Sequence, residues 1–155
     1  LLAFTLAMDW EGDQYTFFKV QHEELRALHG IGVEELNVWK PLAEHAAEQA
    51  ARGRILVPEV DAWFLPDTAG VSYRAAHAKT SIGILRIDVD ARRLGYFHNA
   101  GYWELEGDDF DGVFRRGAWA PAAGTLAPYT ELVKPGAGPR LPDEALAGAA
   151  RALLD

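Results

Sequence analysis

Residues 54–107 read RILVPEVDAWFLPDTAGVSYRAAHAKTSIGILRIDVDARRLGYFHNAGYWELEG. Three apolar runs lie in this stretch, at residues 55–65, 80–88 and 94–105. Polar residues gather at their ends: a carboxylate pair, a Pro-Asp turn, a His-Ala-Lys-Thr step and a His-Asn-Ala-Gly step. The runs can form a sheet core, and the ends of strands are where sites are usually built. In the first run Ile55, Val57, Glu59 and Asp61 point one way while Leu56, Pro58, Val60 and Ala62 point the other. Pro58 cannot donate to a ladder, which predicts an edge strand or a bulge there. Residues 80–88 and 94–98 predict a hairpin turning near residues 90–93, broken at residues 99–101 and resuming over 102–105.

Outward from this centre the pattern is mixed, so the fold class expected is α+β. Residues 14–20, rich in aromatic and β-branched types, predict a strand. Residues 21–29 predict a short helix closed by Gly30. Residues 33–39 suit a short strand. Pro41 is well placed to open a helix, and LAEHAAEQAAR carries it to Arg52, with Gly53 as the stop. Its face of Leu42, Ala46 and Ala50 suggests close packing on a sheet. Residues 1–116 therefore read as a core domain, 117–140 as a Pro/Ala/Gly-rich connecting segment, and 141–155 as the start of a C-terminal helical region. The chain starts at Leu1 rather than Met and ends within a helical pattern, which reads as a fragment incomplete at both ends.

The 155 residues are 49% apolar and 25% charged, ordinary values for a folded domain. The formal net charge of −8 argues against nucleic acid, which needs a basic surface. No apolar run approaches the ~20 residues of a membrane span. The start lacks the basic n-region of a signal peptide, so a cytoplasmic protein is expected. The chain has no cysteine, which removes disulfides, thiolate metal sites and a thiol nucleophile from these residues. The scattered glycines match no phosphate-cradling loop.

His77 is the first candidate for chemistry. A general base of this kind needs a partner that fixes its tautomer; without one it is a structural histidine. Extending the hairpin register puts Glu104 opposite His77 and leaves Asn99 about five residues off, roughly 16 Å along a strand. A bulge at residues 99–101, or His77 folding back, would close that gap, so Asn99 and Glu104 are rival partners. Asn99 also suits a left-handed turn position. Glu59 and Asp61 share one strand face roughly 7 Å apart and could do acid–base work or hold an amine. The Gln14 amide could donate to an oxyanion, and Lys79 lies beside His77 as a further substrate-binding candidate. His77, His98, Glu59 and Asp61 are acceptable metal ligands, although none has an H-x-x-x-H spacing. No cofactor is expected.

Five segments in order resemble one uncharacterised bacterial family: DWEGDQYTFFK (9–19), GIGVEELNVW (30–39), EVDAWFLPDTAG (59–70), HAKTSI (77–82) and YFHNAGYWELEG (96–107). Members of that family are often found beside amino acid:carrier-protein ligases. The family in turn is distantly similar to papain-like proteins, including the butirosin-type transacylase. That similarity rests on His77, the hairpin after it and Asn99. It implies a papain-like antiparallel sheet with packed helices, and a nucleophilic Cys upstream of these residues. It further implies acyl or aminoacyl transfer, or amide hydrolysis, on a carrier-protein thioester. His77 would then move the proton, Asn99 or Glu104 would orient it, and Glu59 and Asp61 would hold the amino group. Carrier proteins are acidic, so docking requires a basic patch, for which Arg74, Lys79, Arg92 and Arg93 are the candidates. Two other functions remain open: a non-catalytic module binding a carrier protein or aminoacyl group, and a metal-dependent hydrolase.

Overall fold

The computed structural model describes residues 8–11, 14–17, 22–136 and 141–153. The chain forms two compact units, residues 1–32 with 135–155, and residues 33–134. In the first unit β1 (Met8–Glu11) pairs antiparallel with β2 (Gln14–Phe17), and α1 (His22–His29) is closed by Gly30 at φ 65°. The Gly30 amide returns to the Arg26 carbonyl at 2.9 Å, as a glycine cap should. A second helix, Asp143–Ala152, falls within residues 141–155, where a helical region was expected. Of the strand expected over residues 14–20, residues 18–20 lie outside the described residues.

The second unit is built on a seven-stranded antiparallel sheet. Its strands are β3 (Gly32–Glu35), β4 (Ile55–Asp61), β5 (Lys79–Ser81), β6 (Gly83–Asp88), β7 (Arg93–His98), β8 (Gly101–Glu106) and β9 (Thr130–Lys134). The order is β3-β9-β4-β6-β7-β8, with β5 also on β4. Two α-helices complete this unit, α2 (Leu42–Ala51) and α3 (Asp108–Val113); Asp143–Ala152 is α4.

Alternation along β4 is as the sequence requires: Leu56, Pro58 and Val60 are buried and their neighbours half-buried. Pro58 is not at an edge, however. It sits inside the sheet, pairing with Thr130 of β9 on one side. On the other side its carbonyl accepts from Ile82 N at 3.3 Å. Ile82 is where β5 gives way to β6, so the donor Pro58 lacks breaks its partner strand rather than its own. The register is continuous across that break, from Glu59 opposite Ser81 to Leu56 opposite Ile84.

Two further expectations are corrected. Residues 99–101 do not interrupt a strand; His98 pairs with Gly101, and Asn99 at φ 51° turns the chain back as β8. Glu104 consequently lies opposite Gly95. Residues 130–134, expected within a connecting segment, form β9 between β3 and β4. Thr130 and Leu132 are buried there; a five-residue strand after a Pro/Ala/Gly run gave no periodicity long enough to read.

Leu42, Ala43 and Ala46 of α2 pack with Leu56, Ile82, Ile84, Leu94 and Tyr96 in one core. The small alanines let α2 come close to the sheet. Beyond β4 the chain makes a 3-10 turn at Ala62–Phe64, begun by Asp61, whose Oδ1 accepts from Trp63 N at 3.0 Å. Phe64 then packs under α3, where only Gly112 leaves room: a Cβ at Gly112 would lie 2.1 Å from the Phe64 ring.

Candidate functional site

The antiparallel register of β4 and β5 sets Asp61 opposite Lys79 and Glu59 opposite Ser81. The chain enters β5 through His77 and Ala78, so His77 arrives beside Asp61. The two join through His77 Nδ1 and Asp61 Oδ2 at 2.6 Å. Asp61 is itself held: its Oδ1 accepts from Trp63 N at 3.0 Å and from Ala78 N at 3.3 Å. The Trp63 ring stacks on the imidazole, centroids 4.6 Å apart and planes 12° from parallel.

With Asp61 accepting from Nδ1–H, the tautomer is fixed and Nε2 carries the lone pair. Nε2 makes no hydrogen bond among the described residues, and the His77 side chain is 67% exposed. It borders a cleft of about 330 Å³ with Glu59, Lys79, Arg115 and Pro128. Lys79 Nζ donates to Glu59 Oε1 at 2.8 Å across this cleft.

The orienting group of His77 is thus Asp61, which the sequence had suggested as a substrate contact. Neither rival is the partner. Asn99 sits exposed in the β7–β8 turn, its Nδ2 3.5 Å from His98 Nδ1. Glu104 is exposed on β8. Extending one hairpin register back to His77 failed because residues 79–81 pair with β4 rather than β7 or β8, and because the chain reverses again at Asn99. Gln14 lies in β2, in the other compact unit, and its side chain lies outside the described residues. Among the described residues no group of three His, Cys, Asp or Glu is placed to hold a metal ion.

A second histidine–carboxylate pair was missed. Val60 pairs with Thr80, so Thr80 points to the sheet face opposite Asp61 and Lys79. There Thr80 Oγ1 and His98 Nε2 are 2.9 Å apart, and His98 Nδ1 meets Asp67 Oδ2 at 2.5 Å. Tyr96 OH donates to Asp67 Oδ1, also at 2.5 Å. The His98 and Asp67 side chains are only 6% and 2% exposed. Burial, and then the neighbouring Asp67, push the Tyr96 phenol far above its usual range, so it stays a donor. This buried network ties the loop after β4 to β5 and β7. The alternation of Lys79 and Thr80 along one strand was the signal that could have separated the two histidines.

The four cations expected to form a basic patch are each paired. Arg74 meets Asp109, Lys79 meets Glu59, Arg92 meets Asp108 and Asp111, and Arg93 meets Glu106. No helix among the described residues is long and apolar enough to cross a membrane.

Fold and site together define an antiparallel α+β domain with a carboxylate-oriented histidine at the mouth of a surface cleft. The chain belongs to the DUF1839 family, whose N-terminal domain matches residues 1–135. No curated protein matches the chain.

Proposed function

We propose that this domain carries the proton-transfer half of an acyltransferase or amidase of papain-like type. The observation that bears the reading is the Asp61–His77 pair: Nδ1 held at 2.6 Å by a carboxylate, Nε2 left open on a cleft. A base needs a fixed tautomer, a free lone pair and access, and His77 has all three.

The nucleophile in this reading is a cysteine thiol from outside the 155 residues, as the resemblance to papain-like transacylases implies. The thiol gives its proton to His77 Nε2 and attacks the acyl carbonyl, forming a C–S bond. His77 returns the proton to the departing thiol or amine as the donor's own acyl C–S or C–N bond breaks, leaving the acyl group on the cysteine. An acceptor, amine or water, then loses its proton to His77 while attacking the acyl-thioester, and the cysteine sulfur leaves. Asp61 stabilises the imidazolium in both steps without itself taking the proton.

The donor implied by the resemblance is a carrier-protein thioester. A second reading, hydrolysis of a small amide without a carrier, draws support from the surface charge. Arg74, Lys79, Arg92 and Arg93 are all neutralised by carboxylates, so they offer little to an acidic carrier.

The test uses the natural full-length protein and a charged carrier protein, with a small acyl amide in parallel. His77→Ala should lower turnover of the true donor about 10²–10⁴-fold, and Asp61→Asn should lower it too by releasing the wrong tautomer. Unchanged turnover in His77→Ala removes the proposed mechanism.

A further inference from the structure

We infer that the cavity beside the His77 cleft is an acyl-chain subsite, taking an apolar acyl group whose carbonyl head reaches Arg115. This inference rests on the acyl-transfer reading and names its substrate class. The cavity holds about 680 Å³, in the range of small-molecule sites. Val38, Leu42, Val89, Phe114, Leu126 and Pro128 line it. The first turn of α2 makes one wall and the segment after α3 another.

Two residues, Arg115 and Pro128, line both this cavity and the His77 cleft. The apolar volume and the base therefore adjoin through Arg115. Three cations border the cavity, and two are already paired: Lys40 with Glu48 at 2.5 Å and Arg116 with Asp111 at 4.0 Å. Among the described residues Arg115 has no carboxylate within 4.0 Å. Its one side-chain bond runs from Nη1 to the Leu126 carbonyl at 3.4 Å. A guanidinium has five N–H donors, so most of its capacity is open to a ligand. Its backbone is also left-handed, φ 52°, a conformation that costs energy in a non-glycine residue and recurs at ligand sites.

These features select the occupant. Apolar walls take a hydrocarbon or aryl chain, and a single unneutralised cation at the cleft end takes the partial charge of an acyl carbonyl or the full charge of a product carboxylate.

The experiment titrates the natural full-length protein with butyrate, hexanoate and octanoate, followed by calorimetry and by Trp39 fluorescence. Trp39 stands 76% exposed at the cavity's lip. Each added methylene should tighten binding about fourfold. Leu126→Asp, a change at an 86% exposed position that leaves the core alone, should abolish the chain-length dependence. Arg115→Gln should weaken octanoate about tenfold or more while leaving octanamide less affected. His77→Ala should bind octanoate as well as the parent does. Affinity independent of chain length, or octanoate binding untouched by both Leu126→Asp and Arg115→Gln, overturns the subsite. If octanoate binds as expected while His77→Ala keeps full turnover, the subsite stands and the acyl-transfer reading falls.

Discussion

Trp63 lies flat against the imidazole of His77, ring centroids 4.6 Å apart and planes 12° from parallel. Asp61 fixes one nitrogen of the ring; Trp63 fixes its plane. The indole Nε1 is buried with no hydrogen-bond partner among the described residues, so stacking rather than a polar tether makes this contact. On the proposed role of His77 as the base, Trp63→Leu should lower kcat about 10–100-fold through loose positioning, with KM little changed. Steady-state kinetics on the full-length protein read the split; an unchanged kcat means the stack is packing alone.

The buried network behind the sheet should act on stability instead. Asp67→Ala leaves His98 and Tyr96 without their shared acceptor, and with each buried unsatisfied donor costing about 1–3 kcal/mol the loss should be about 2–6 kcal/mol. Tyr96→Phe removes one donor from a carboxylate that keeps His98, and should cost about 1–2 kcal/mol. Urea unfolding of both variants measures the difference. Equal costs would mean that the Tyr96 bond carries the network.

His45 gives the fold a pH dependence of known sign. Burial, helped by the positive charge of Lys40, lowers its pKa below 6.5, while Glu48 and Glu44 oppose. Its Nε2 accepts from Trp39 N at 3.3 Å, which the protonated ring cannot do. A lowered histidine pKa means that the unfolded chain binds the proton first. The contribution is complete above about pH 6.5 and is lost as pH falls through the lower folded value. His45→Gln keeps an acceptor and cannot titrate. Between pH 7.5 and 5.5 its Tm should fall less than that of the parent, as thermal unfolding at both pH values would show.

Gly112 sets two effects against each other. Alanine favours a helix over glycine by about 1 kcal/mol. Its Cβ, however, would lie 2.1 Å from the Phe64 ring, and Phe64 is buried in the core. Overpacking of this kind costs about 1–3 kcal/mol, so Gly112→Ala should be net destabilising. Adding Phe64→Leu should recover part of the loss; if the double variant is no better than Gly112→Ala, the clash is not the cause.

Local signals carried the elements they could reach. Gly30 and Gly53 end their helices at positive φ. The β6–β7 register is as expected near its turn, with Asp88 opposite Arg93. Asn99 was readable as a left-handed turn residue, yet its turn was taken for a break, because two apolar runs about a polar step look alike whether the chain continues or reverses. Pro58 was expected at an edge or a bulge, since the missing donor is visible in sequence but the strand that absorbs it is not.

The sequence by itself determined the α+β class and the faces of β4 and α2, and it singled out His77 for its residue chemistry. These follow from side-chain period, backbone preference and residue chemistry, all within a few neighbouring positions. Tertiary structure alone decided that Asp61 rather than Asn99 or Glu104 holds His77, that His98 belongs to a buried network on the other face, and that Arg115 joins two clefts. Each of those depends on which strands pair and in what register. Pairing is settled by burying the whole sheet at once, and a shift of one residue would exchange the two faces.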